Sequence, residues 1–127
     1  MIEKLFDAFS RGDIESILAA LTDDVDWQGP VSEHADSLPW AGRRRGREQV
    51  ADYFREFAAA SQWHPMEDVA FTAAGDRVVV EGRNRNKVRA TGRTYEHQWV
   101  MLFTFRNGQI ARFRHYYDSA DIAHALD

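Results

Sequence analysis

The stretch RTYEHQWVMLFTFRNGQIARFRHYY, residues 93–117, decides the fold of this chain. Alternating apolar and polar residues predict one strand at 93–105 and another at 109–117, joined at Asn107-Gly108. Because a slip of one residue exchanges the two faces of a strand, the length of this turn determines which side chains are buried.

We expect a three-residue loop, Arg106 to Gly108, because a two-residue loop would leave neither face consistently apolar. This register predicts that His115 lies opposite Trp99 and that Tyr117 lies opposite His97. The inner face then gathers six side chains: Trp99, Met101, Phe103, Phe113, His115 and Tyr117.

Two more strands are predicted upstream, at 64–73 and 77–89. The second one carries a basic ladder on one side, which belongs in water, so its other side faces inward. That inner side comprises Val78, Val80, Gly82, Asn84, Asn86 and Val88.

The N-terminal half has helical periodicity. Apolar residues spaced at i, i+3, i+4 and i+7 predict helices at 2–9 and 14–21, the second capped by Asp13. A short strand around 25–29 and a long loop at 29–45 lead to a third helix after Gly46. A last helix is expected from Ser119. Helices followed by an antiparallel meander predict a single α+β domain over residues 1–127.

The composition excludes several classes of protein. The 127 residues, 44% hydrophobic and 13% aromatic, suffice for the core of one domain. Cysteine is absent, and no run of 18 apolar residues could span a membrane. A net charge of −4 disfavours nucleic-acid binding. Because no basic and apolar leader opens the sequence, we expect a cytoplasmic protein with no membrane partner.

Several segments resemble, in order and spacing, the SnoaL-like branch of the nuclear-transport-factor-two superfamily. They are FSRGD (9–13), LTDDVDW (21–27), LPWAG (38–42), RGREQVADYF (45–54), TGRTY (91–95), FTFRNGQI (103–110) and RFRHYYD (112–118). The resemblance implies a cone-shaped, curved antiparallel sheet wrapped around three helices, with an internal apolar pocket and usually a dimer. Its members include ketosteroid isomerases, polyketide cyclases, limonene epoxide hydrolases and non-enzymes.

The catalytic residues of these relatives mostly do not carry over. The tyrosine and two aspartates of the isomerases fall at Leu5, at Gly29 and near Met101. The tyrosine and asparagine of the epoxide hydrolases fall at Trp27 and Gly29. Their arginine and first aspartate fall near Gly82 and Asn84, and their second aspartate falls at His115. His115 is the acid–base group that remains at these positions.

His115 is therefore the candidate general acid–base, because histidine titrates near neutral pH. The alternative is a structural histidine bonded to Asn84, Tyr117 or backbone. Asp118 either orients a histidine or caps the last helix. A metal site of His97, His115 and Asp118 lacks close ligand spacing, so we expect neither a metal nor a cofactor.

The sequence predicts a protein with a small-molecule pocket. One interpretation is a cofactor-independent isomerase or cyclase that acts on a hydrophobic, carbonyl-bearing metabolite. The alternative is a ligand-binding module or a dimeric assembly domain that catalyses no reaction. Asn84 and Tyr117 would anchor the ligand beside His115. Six further residues, mostly aromatic or apolar, would either contact the ligand or only pack in the hydrophobic core. They are Trp27, Tyr53, Val80, His97, Trp99 and Phe113. Trp40, in the long loop, is a candidate lid residue or a plug against the rim of the pocket.

Two surface features complete the predictions. The run Arg43 to Arg47 is interpreted as a solvated loop or as a salt-bridge donor to the acidic first helices. Apolar residues on the outer sheet face predict a homodimer, with an interface comprising Val79, Glu81, Val100, Leu102 and Tyr116.

Overall fold

A computed structural model describes residues 2–29, 42–62 and 66–117. Trp40, Asp118 and the helix expected from Ser119 lie outside these residues. The described elements are α1 (Ile2–Arg11), α2 (Ile14–Ala19), β1 (Leu21–Gln28), β2 (Arg43–Arg45), α3 (Gly46–Ala60), β3 (Ser61–Gln62), β4 (Glu67–Ala74), β5 (Arg77–Val88), β6 (Thr94–Arg106) and β7 (Gln109–Tyr117).

The helices form where the apolar periodicity predicts them. Asp13 caps α2 by accepting a 3.2 Å hydrogen bond from the backbone N–H of Ser16. Leu5, Phe6 and Phe9 of α1 are buried together, because their spacing places them on one face of the helix. In the part of the chain that the structure describes, no helix is long and apolar enough to cross a membrane.

The sheet has the strand order β2-β1-β7-β6-β5-β3, with β4 also paired to β5, and it curls around the helices as a cone-like half-barrel. The predicted α+β cone fold is confirmed. The sheet is mixed, however, because β1 pairs with β7 in parallel. No short turn joins these two strands, so nothing local imposes the antiparallel direction that a hairpin would.

The turn between β6 and β7 differs from the predicted three-residue loop. Arg106 pairs with Gln109, so the turn has two residues, Asn107 and Gly108, with φ of 53° and 79°. Both values suit the type I′ turn, whose twist matches that of the flanking strands. Beyond the turn, Ala111 is an extra residue in β7, because Phe105 pairs with Ile110 while Thr104 pairs with Arg112.

Because of this turn and bulge, the observed register differs from the predicted one, but the predicted inner and outer faces are kept. His115 lies opposite Met101, not Trp99, and Tyr117 lies opposite Trp99, not His97. The predicted pairing is thus wrong by two residues. Because two is a full period of a strand, the aromatic side chains and His115 still face inward.

The arginine run at 43–47 also differs from the predicted solvated loop. Its first three residues form strand β2, antiparallel to β1. Arg44 pairs with Glu56 of α3 at 2.7 Å, and Arg47 pairs with Asp23 of β1 at 2.9 Å. Within the described residues, these ion pairs therefore tie β2 and α3 together and to β1, rather than to the first helices.

Candidate functional site

The inner face of the sheet and the helices enclose a cavity of about 50 Å³. Strands β5, β6 and β7 supply most of its wall, and α1, α3 and β1 close it from the opposite side. The lining residues are Phe9, Trp27, Tyr53, Phe54, Phe57, Met66, Asn84, Asn86, Tyr95, His97, Trp99, Met101, Phe113, His115 and Tyr117.

Most of the predicted site residues lie in this wall, and their roles remain predictions. Val80 is the exception. It faces inward but is completely buried in the core with Phe6 and Phe103. The cavity lies beside Asn84 and Asn86, further along β5, and so does not reach Val80.

His115 is surrounded by aromatic rings. Its ring centroid lies 4.7 Å from that of Tyr117, 5.8 Å from that of Phe113 and 6.1 Å from that of Trp99. Burial lowers the pKa of His115 to about 3, with a smaller contribution from the charge of His97. The imidazole is therefore neutral at pH 7.

Several buried polar atoms of the wall have no hydrogen-bond partner among the described residues. Among them are Nε2 of His115, Oδ1 of Asn84 and Nε1 of Trp27. A buried polar atom left without a partner costs about 1–3 kcal/mol, so each such atom needs an explanation. The residues that carry these three atoms all line the same cavity, where a bound molecule could satisfy them.

The other end of the wall is internally satisfied. Nδ2 of Asn86 donates to the hydroxyl of Tyr95 at 3.3 Å, and that hydroxyl lies 3.3 Å from Oγ of Ser61. Of the two inward asparagines, Asn86 is therefore structural and Asn84 remains available. Tyr95 was not among the predicted site residues. It has the same strand parity as His97 and Trp99, so the alternation could have identified it.

The wall carries little charge. Among the described residues that line the cavity there is no Asp, Glu, Lys or Arg. The titratable groups are two histidines and the tyrosines Tyr53, Tyr95 and Tyr117. Burial raises the pKa of Tyr53 and of Tyr95, so both phenols are neutral. Nowhere in the described residues do three or more His, Asp or Glu side chains gather as metal ligands.

Comparisons with known proteins agree with this architecture. The sequence matches the SnoaL-like domain family over residues 2–113. An NTF2-like protein of unknown function from Burkholderia pseudomallei K96243 is 26% identical, with a TM-score of 0.89 over 98% of this chain and 93% of that chain. An NTF2-like protein from Burkholderia xenovorans LB400 is 29% identical, with a TM-score of 0.83 over 99% and 92%.

A candidate polyketide cyclase from Xanthomonas campestris pv. campestris is also similar in structure. It is 24% identical, with a TM-score of 0.82 over 99% of this chain and 93% of that chain. At this level of identity the likeness shows the fold alone. No curated protein matches the sequence significantly.

Proposed function

Because this chain belongs to the SnoaL-like domain family, whose cone encloses a pocket, we propose that it isomerises or cyclises a small, uncharged, carbonyl-bearing hydrophobic metabolite without a cofactor. His115 would transfer the proton. The observation that carries this proposal is the unpartnered Nε2 of His115, buried in an aromatic pocket.

His115 is suited to accept a proton because burial keeps its ring neutral. Nε2 would take a proton from the carbon next to the carbonyl, and the C–H electron pair would pass into an enolate. A low pKa makes the free ring a weak base, but the enolate formed beside it would stabilise the imidazolium as an ion pair. Return of the proton to another carbon completes an isomerisation. In a cyclisation the enolate carbon attacks a second carbonyl, and the imidazolium protonates the resulting alkoxide.

The other two unpartnered atoms can form hydrogen bonds with polar groups of such a ligand. The N–H of Trp27 can donate to a ligand oxygen, and Oδ1 of Asn84 can accept from a ligand hydroxyl. Tyr117 packs edge-on against His115 and would hold the imidazole in place. Asn84 and the N–H of Trp27 are thus the proposed hydrogen-bonding contacts, and Tyr117, which the sequence predicts as a second polar anchor, is proposed to position His115.

The absence of charge from the described wall favours an uncharged ligand. A carboxylate or ammonium group would lose its hydration in this cavity without gaining an ion pair. The volume of about 50 Å³ is small compared with the roughly 300–1,000 Å³ of common ligand pockets. We therefore expect the ligand to have few rings and the aromatic wall to shift as it binds.

Exchange of hydrogen for deuterium tests the proposal directly. In D₂O, 2-tetralone loses its protons next to the carbonyl only if a base removes them, and NMR follows that loss. We expect wild-type protein to accelerate this exchange. We expect His115→Gln to reduce the acceleration by about 10²–10⁴-fold, while His97→Gln, in the same wall, has a much smaller effect.

The alternative is a binding module without chemistry, which the lack of a carboxylate in the described wall favours. If wild-type protein binds 2-tetralone, seen as shifted ligand resonances, yet causes no exchange, the enzyme proposal is wrong and the binding module stands. Native mass spectrometry of the purified protein identifies any ligand that the pocket retains.

A further inference from the structure

Trp99 and Gly82 lie directly opposite each other on β6 and β5. The indole leans across the neighbouring strand, over the position where any other residue would carry a side chain. A Cβ atom built on Gly82 would lie 2.5 Å from Cζ2 and 2.6 Å from Cη2 of Trp99. Such distances are impossible for real atoms, so the position of the indole requires a glycine here.

The indole also borders the cavity and the proposed proton-transfer group. Its ring stacks on Phe6 at 6.3 Å with an interplanar angle of 18°. It meets His115 edge to face at 6.1 Å. Phe6 is itself packed against Phe103 and Phe9 in the core. Free volume is therefore found on the cavity side of Trp99, and not on the Phe6 side.

We propose that Gly82 is a specificity-determining residue: its missing side chain lets Trp99 lie against β5, which keeps open the ligand space beside His115. The proposal rests on the function proposed above. A methyl group at position 82 would push the six-membered ring of Trp99 toward the cavity, because a close-packed core does not yield by that amount. Ligands of two rings would be excluded before ligands of one ring.

The test compares Gly82→Ala with two other variants. Gly29→Ala is the matched control, because a Cβ atom on Gly29 meets none of the described residues within 4 Å and the glycine needs no positive φ. The double variant Gly82→Ala/Trp99→Phe is the rescue, because phenylalanine lacks the indole atoms that the new methyl group would contact. The probes are phenol and 2-naphthol, which mimic the enols of one-ring and two-ring ketones, and their affinities are measured by calorimetry.

We expect Gly82→Ala to weaken 2-naphthol binding by roughly tenfold or more, with a smaller effect on phenol. Gly29→Ala should match the wild type, and the double variant should recover 2-naphthol affinity. An unchanged ratio of the two affinities in Gly82→Ala overturns the proposal. So does a double variant that folds but shows no recovery.

Xenon occupancy in crystals of the same variants separates this inference from the proposed function, because xenon reports volume without specific chemistry. We expect xenon to occupy the wild-type cavity and to be lost in Gly82→Ala. If wild-type protein takes up xenon but binds neither phenol nor 2-naphthol, the proposed ligand class is wrong. Loss of xenon in Gly82→Ala would still support the proposed role of Gly82, and retention of xenon would contradict it. Should Gly82→Ala not fold while the double variant does, the steric conflict with Trp99 is confirmed.

Discussion

Arg114 donates a hydrogen bond of 2.9 Å to the carboxylate of Asp26, across the parallel pair of β7 and β1. The two side chains are only 9% and 22% exposed. Nη1 of Arg114 also donates to the backbone carbonyls of Asp26 and Phe113, at 3.2 Å and 2.8 Å. The guanidinium holds the pKa of Asp26 below its ordinary value. This pair therefore joins two strands that are far apart in sequence.

We expect Arg114→Met to lower the free energy of unfolding by about 2–4 kcal/mol, because it leaves the carboxylate of Asp26 partly buried without its main partner. Urea denaturation measures the change. The matched control is Arg106→Met, whose partner Asp24 lies 2.6 Å away but is 66% exposed, and we expect it to change stability little. Equal losses in both variants would contradict a special role for burial.

The protonation of His115 predicts how stability depends on pH. Its pKa is 6.5 in an unfolded chain and about 3 in the folded protein, so between these values the unfolded state binds more protons. Stability therefore rises with pH in this window and is lost as the pH falls from about 6.5 toward 3, with a slope that approaches about 1.4 kcal/mol per pH unit. The titratable groups that face His115 in the described wall are His97, Tyr53, Tyr95 and Tyr117, with no carboxylate.

Denaturation between pH 7 and pH 4 should show that stability depends less on pH in His115→Gln than in wild type. His97→Gln should keep the part of the pH dependence that His115 causes. NMR of the histidine rings gives an independent measurement. The resonances of His115 should not titrate above pH 5. A pKa above the ordinary value would mean that an acidic group approaches the ring, and the neutral-base mechanism would then be wrong.

The bulge at Ala111 predicts which changes of chain length β7 tolerates. Deleting Ala111 leaves Phe105 opposite Ile110 and Thr104 opposite Arg112, so the rest of β7 keeps its faces and we expect this variant to fold. Inserting one alanine between Phe113 and Arg114 would instead exchange the faces of Arg114 and His115, and we expect that variant to be unfolded by circular dichroism. An unfolded deletion variant would show that β7 needs the bulge itself.

The outer face of the sheet carries the proposed homodimer interface. Val79 lies opposite Leu102, and Val100 lies opposite Tyr116, which is 56% exposed. We expect wild-type protein to sediment as a dimer at micromolar concentration and Leu102→Arg to sediment as a folded monomer, because a charge there would lose its hydration in the interface.

The control for this experiment is Lys87→Asp, which changes a charge on the same face of β5 but away from the apolar patch. It should remain dimeric. A wild-type protein that sediments as a monomer would contradict the predicted interface.

Local patterns were sufficient to predict the three helices, the long strands, and the inner faces of β5, β6 and β7. The positions of His115 and Asn84 in the wall follow from alternation along single strands, since side-chain direction has a period of two. The α+β order, the cap at Asp13 and the cone fold come from the same kind of information, helped by the resemblance of segments along nearly the whole chain. Tyr95, a cavity residue that was not among the predicted site residues, obeys the same alternation.

Other features depend on which strands pair with each other, and the alternation of apolar and polar residues along one strand carries no information about strand pairing. The parallel pairing of β1 with β7, the burial of Arg114 against Asp26 and the placement of Trp99 over Gly82 all join residues that are distant in sequence. The extra residue at Ala111 could not be predicted from the sequence for a related reason. Asn107-Gly108 is compatible with either loop length, and only the packing of β7 against both β6 and β1 selects the bulge. The sequence by itself thus determined which face of each strand is buried, because that is a local property of the chain. Tertiary structure decided which residue lies opposite which, because pairing energies are summed over the whole sheet.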